Sequence, residues 1–88
     1  MKGFVIFLEP KDASGIERNK AFFTSNNGVL QAGGVLELTP EGTLKVMYAF
    51  QDDVPDRAKA VVLAELISIF DEAIVRKANV TYRVERVE

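Results

Sequence analysis

Eighty-eight residues, 48% of them hydrophobic and 27% charged, have the composition of one globular domain with a real core and not of a disordered chain. Such a domain buries only roughly 60–65% of the surface of its unfolded chain, so its margin of stability is thin. The absence of cysteine excludes disulfides and thiolate metal sites, and the formal net charge of −2, from 11 basic and 13 acidic residues, lacks the basic excess of a nucleic-acid surface.

A cytoplasmic setting is expected, because a small secreted domain would usually need disulfides. The apolar stretch between Lys2 and Glu9 is too short for a signal-peptide core with its cleavage site. The longest later apolar run, Ala60–Ala64, is too short to cross a membrane.

Phe4-Val5-Ile6-Phe7-Leu8, bounded by Gly3 and Pro10, is β-branched and aromatic and apolar in both alternating sets. It reads as a strand central in its sheet or covered on both faces. If Phe4, Ile6 and Leu8 face a helix, Val5 and Phe7 must meet a curled sheet, a loop or another chain. Residues 10–20 hold five charges and almost no apolar anchor, which predicts a long surface loop able to carry recognition through Lys11, Asp12, Glu17 and Arg18.

Ala21–Thr24 reads as a short strand, Asn26-Asn27-Gly28 as a hairpin turn tolerant of left-handed backbone, and Val29–Ala32 as the returning strand. Gly33-Gly34 then predicts a bulge or bend that lets the sheet curve. A phosphate loop is excluded there, because Gly34 and Val35 stand where lysine and a hydroxyl residue would be required. Val35–Leu38 and Leu44–Phe50 flank Thr39-Pro40-Glu41-Gly42, with proline second and glycine fourth as a type I turn prefers. Leu44, Val46, Tyr48 and Phe50 form one face opposite Leu36 and Leu38; Lys45, Met47 and Ala49 form the other.

Asp52, Asp53 and Asp56 could hold a divalent cation, but helix capping accounts for all three: Asp52 or Asp53 suits the N-cap and Pro55 the first turn. No metal or other cofactor is therefore expected. The helix predicted over Pro55–Ala78 carries Val62, Leu63, Leu66, Ile67, Ile69, Phe70, Ala73 and Ile74 on an arc of roughly 180°, wider than the ~100° stripe that one open sheet requires. Either the sheet curls around the helix, or a rim of the arc forms a homodimer seam through Leu63, Ile67 and Ile74. Lys59 and Lys77 fall within that arc near its ends, their stems along the core. Asn79 suits a left-handed C-cap.

Val80–Glu88 alternates, with Val80, Tyr82 and Val84 expected inward and Thr81, Arg83 and Glu85 outward, as an edge strand would. Arg86 breaks the inward set and marks either the exit from the core or an anchor for an anion.

The fold class expected is α+β: a single domain over residues 1–88 with a mainly antiparallel, curved β-sheet, in the order ββββαβ, and one long amphipathic helix packed on one face. Without histidine or cysteine, nucleophilic chemistry falls to serine, threonine, lysine or carboxylates, and Ser14, Ser25 and Ser68 stand in no motif, so the chain reads as no enzyme.

The function expected is a small non-catalytic protein-binding module that occludes or bridges a larger partner; a phage- or mobile-element-encoded inhibitor would fit that economy. The partner is another protein or a second copy of the chain, with nucleic acid and membrane disfavoured. Its candidate interaction surface comprises Val5, Phe7, Lys11, Asp12, Glu17, Arg18, Leu63, Ile67, Ile74, Arg83 and Arg86. The alternative is a homo-oligomer that binds a small anionic ligand between subunits, using Phe7, Phe22, Phe23, Tyr48 or Tyr82 with Arg83 or Arg86.

Overall fold

A computed structural model describes residues 1–31 and 33–88. The elements are β1 (Gly3–Pro10), α1 (Ala13–Ser25), β2 (Val35–Leu38), β3 (Leu44–Ala49), α2 (Asp56–Phe70), a π-helical turn over Asp71–Val75, and β4 (Val80–Val87). The four strands form one antiparallel sheet in the order β2-β3-β1-β4, so β1 lies inside it and β4 at an edge. Because β3 runs antiparallel to both β1 and β2, those two are parallel, and each helix connects a pair of parallel strands separated by a third. This is the order of connections of the double split-βαβ, or ferredoxin-like, arrangement. None of the helices is long and apolar enough to cross a membrane among the described residues.

The class is α+β as expected, but the order is βαββαβ. The long loop expected over residues 10–20 is not formed and Ala21–Thr24 is no strand: Pro10 ends β1, Asp12 caps α1, and residues 13–20 run on with Ala21–Thr24 as α1. The Asp12 carboxylate caps it, accepting from the Gly15 N–H at 3.2 Å and from the Ser14 hydroxyl at 2.6 Å. Asn26-Asn27-Gly28 does take up left-handed backbone, with φ of 54° at Asn27 and 75° at Gly28, yet it ends a helix instead of turning a hairpin. Gly28 N–H donates to Phe23 O and Asn27 N–H to Thr24 O, the paired bonds of a Schellman cap.

Of the expected returning strand, Ala32 lies outside the described residues and Val29 makes an isolated bridge to Val35. Gly33 and Gly34, with φ of 94° and 114°, precede β2 and do not interrupt it. A Cβ on Gly33 would stand 3.1 Å from the Tyr48 ring, so the pair brings this segment close against β3. The Thr39–Gly42 turn forms as read: Gly42 N–H donates to Thr39 O at 2.9 Å, and Gly42 has a φ of 90°.

Register explains the core. Phe4, Ile6 and Leu8 align with Tyr48, Val46 and Leu44 on one side and with Arg86, Val84 and Tyr82 on the other, all on the helix-covered face. Phe4, Ile6, Leu8, Leu44, Val46 and Ile74 are wholly buried, joined by Leu36, Leu63, Leu66, Phe70 and Val80. At roughly 1.5–3 kcal/mol for each large apolar side chain, this cluster is the main favourable term in folding. Phe22 of α1 meets Phe70 of α2 edge-on at 5.3 Å, and Tyr48 stacks on Phe4 at 5.4 Å.

Leu63 and Ile74 are therefore core residues, and a dimer seam through them is excluded; Ile67 is half-buried against the same core. The surplus of the apolar arc emerges elsewhere, at the exposed Ile69, and Val61, outside the arc, is exposed as well. Helix α2 begins with Pro55 at its N-cap and no side-chain cap, so neither Asp52 nor Asp53 has the capping role expected of it. Asp56, in the first turn, pairs with Lys59. As expected, Lys59 lies along the core; its ammonium donates to Met1 O at 2.6 Å and sits 5.7 Å above the Phe50 ring.

At the far end, Arg76 N–H reaches Asp71 O and Arg76 Nε reaches the Asp71 carboxylate at 2.6 Å, closing the π turn. Asn79 does not adopt left-handed backbone; its amide donates to Asp12 and so links the end of the helical segment to the cap of α1.

Candidate interaction surface

Both helices reach the core cluster on one side of the sheet, so the other side is uncovered among the described residues. Strand alternation decides what it carries: Val5, Phe7 and Glu9 from β1, Lys45 and Met47 from β3, Val35 and Glu37 from β2, and Thr81, Arg83, Glu85 and Val87 from β4. Phe7 stands directly between Lys45 and Arg83 in the register, and Val5 between Met47 and Glu85.

Phe7 is the centre of this face. The Arg83 guanidinium carbon lies 3.9 Å from its ring centroid and the Lys45 ammonium 5.6 Å, so two cations cover the aromatic face where a helix covers its neighbours Ile6 and Leu8. Acids hold both cations in turn. Lys45 is 3.4 Å from Glu37, Arg83 Nε is 3.3 Å from Glu9, and Arg83 Nη1 donates to Glu85. Hydrogen bonding to Glu85 in particular holds the Arg83 guanidinium even more firmly protonated than usual. Around this centre Val5 and Met47 are half-buried, and Val35 and Val87 are 54% and 49% exposed. The face thus has an aromatic and aliphatic centre rimmed by charges of both signs.

No family model, curated protein or solved structure matches this chain. The order of connections hosts many unrelated functions, so only the surfaces themselves bear on what the protein does.

Of the residues singled out in the sequence, Val5, Phe7 and Arg83 come together on this face. Arg86 does not: it lies on the opposite side of β4, in a surface hollow with Met1, Asp56, Lys59, Ala60 and Glu88. Two acids share that hollow with its cations. Glu17 and Arg18 border a second hollow with Ser14, Ala21, Lys77 and Ala78, between α1 and the end of the helical segment. Asp12 serves as the α1 cap and Lys11 is exposed beside it, its N–H bonded to Asn79 O.

The aromatics proposed for a ligand pocket are dispersed. Phe22 and Tyr48 pack in or against the core, Phe23 packs beside them, and Tyr82, expected inward, is 45% exposed at the sheet edge. Met47, Lys45, Glu37, Glu9 and Glu85 are missing from the sequence-derived surface. Their alternation was readable, but only the registers of β3 and β4 on β1 and of β2 on β3 set them around Phe7.

Ser14 and Ser25 hydroxyls are engaged at the two ends of α1, donating to Asp12 and to Phe22 O. Among the described residues no group of three or more histidine, cysteine, aspartate or glutamate side chains is placed to hold a metal ion.

Proposed function

We propose that this chain is a small non-catalytic protein-binding module, which occludes or bridges a larger protein by laying the uncovered face of its sheet against it. The observation that carries this reading is Phe7, a central-strand aromatic covered by two cations instead of by core. Aromatic, methionine and arginine side chains at the centre of a patch with a polar rim are the composition of protein interfaces. The mixed signs of Glu9, Glu37, Lys45, Arg83 and Glu85 favour a protein partner over a polyanion, which would require a uniformly basic face.

The test is affinity capture from cells, identification of the partner, and titration of the two purified proteins. Phe7→Ala should weaken binding by tenfold or more, as truncation of a central anchor does at about 2 kcal/mol. Arg18→Ala, on α1, should leave binding unchanged. A partner indifferent to Phe7→Ala and Arg83→Ala, or the failure to find any saturable protein partner, sinks the reading.

A further inference from the structure

We propose that two copies of this chain pair through β4, antiparallel about a two-fold axis at Val84, joining their sheets edge to edge into one of eight strands. The inference rests on the backbone and charge order of β4 and is independent of what docks on the uncovered face.

The sheet has two edges, and among the described residues only one is free. On β2 the Leu36 N–H donates to Gly28 O at 2.8 Å and Val29 bridges to Val35, so the segment after α1 covers that edge. Nothing pairs with the outer edge of β4 among the described residues. Its phase follows from the bond between Lys11 N–H and Asn79 O, in line with the Pro10↔Val80 register: odd-numbered residues exchange hydrogen bonds with β1. The N–H and C=O groups of Tyr82, Val84 and Arg86 therefore point outward, a row ready to pair.

Alternating charge normally protects such an edge. Here the order of charges is self-complementary in one register. With Val84 opposite Val84 of the second copy, Arg83 faces Glu85 and Glu85 faces Arg83. Tyr82 faces Arg86 twice, a cation over an aromatic ring each time. Thr81 faces Val87.

Facing residues share a side of the sheet, so the alternative registers move the axis along the strand by whole residues. An axis at Arg83, Glu85 or Arg86 sets that charge against itself, which opposes pairing. An axis at Tyr82 keeps only Val80 to Val84 in the ladder. The pattern accepts one pairing and rejects its neighbours, and the contact is isologous, so it closes at two copies. Each Arg83, already 3.3 Å from Glu9 of its own chain, would then lie between that carboxylate and Glu85 of the second copy.

Light scattering or sedimentation equilibrium of the purified chain should give twice the 9.7 kDa monomer mass at high concentration. Arg83→Glu and Glu85→Arg should each weaken association by tenfold or more, and the two together should restore it, because every facing pair is again of opposite sign. Val84→Pro removes an outward N–H without touching the β1 ladder and should yield a folded monomer by circular dichroism. A monomer at all concentrations, or a dimer insensitive to the single charge reversals, overturns the proposal. A dimer that both reversals break but the double reversal fails to restore overturns the register. Phe7→Ala should leave the dimer intact, which separates this outcome from the fate of the docking face.

Discussion

Asn19 is wholly buried in the middle of α1, and its amide spans three parts of the fold by donating to Leu8 O at 3.0 Å and Gly42 O at 2.8 Å. Its own side-chain oxygen has no partner among the described residues. The two donated bonds contribute about 1 kcal/mol net each. Asn19→Leu should therefore lower the unfolding free energy by about 2 kcal/mol in urea titrations, although leucine is the more apolar residue; unchanged stability would show that the bonds contribute nothing.

Asp12 makes a second residue-scale prediction. Hydrogen bonds from the Ser14 hydroxyl, the Gly15 N–H and the Asn79 amide, in that order, hold its carboxyl below the ordinary value of 3.8. The folded state thus releases this proton more readily than the unfolded chain. The contribution is complete above about pH 5 and is lost as pH falls through the folded value, below about 4. Asp12→Asn keeps an acceptor for the cap but cannot titrate, so denaturation curves between pH 6 and pH 3 should fall less steeply for the variant than for the parent. Parallel curves would dismiss the cap as a source of acid lability.

Helix α1 shows why one element was hidden and the other plain. In α2 the core-facing positions are leucine, isoleucine and phenylalanine, and their period is audible in the sequence. In α1 the inward positions are Gly15, Ile16, Asn19, Phe22 and Phe23, spaced as a helix requires, but a glycine and an asparagine stand where the pattern demands apolar side chains. Both are there for tertiary reasons that the local sequence does not carry. Asn19 reaches two backbone carbonyls, and Gly15 lets α1 touch the start of β4. The Asn-Asn-Gly signal was sound as backbone chemistry and ambiguous as topology, because a left-handed pair closes a hairpin or caps a helix equally well. The hairpin from β2 to β3, β1 and the edge strand β4 were legible because each rests on alternation and local turn residues alone.

The same element gives a test in which two effects oppose. Alanine is favoured over glycine inside a helix by about 1 kcal/mol. A Cβ at Gly15, however, would stand 2.7 Å from Asn79 O and 3.0 Å from Pro10 and Val80, and the first of these is backbone that cannot swing away. Overpacking of this kind costs typically 1–3 kcal/mol, so Gly15→Ala should destabilise the protein. A more stable alanine variant, read by thermal and urea unfolding, would mean that helix and strand are not in close approach.

At the scale of the whole molecule, the docking face and the free edge meet on β4: the side chains of Arg83 and Glu85 serve both, while the outward backbone of Tyr82, Val84 and Arg86 belongs to the edge alone. Pairing at the edge would set two Phe7-centred faces side by side on one continuous surface. A partner with two matching sites would then gain by effective concentration, with no new contact needed on either face.

The inner position of β1 has a further consequence, for the route by which the sheet forms. The β2–β3 hairpin closes over a four-residue turn, whereas β1 finds β3 only across α1 and finds β4 with Gly3 beside Val87. Loop-closure entropy is lost before those distant pairings stabilise anything, so the hairpin can form early while β1 waits. The strand that carries Phe4, Ile6 and Leu8 is thus both the most buried and among the last to be flanked on both sides, and until β4 arrives its apolar edge is open to any chain that reaches it first.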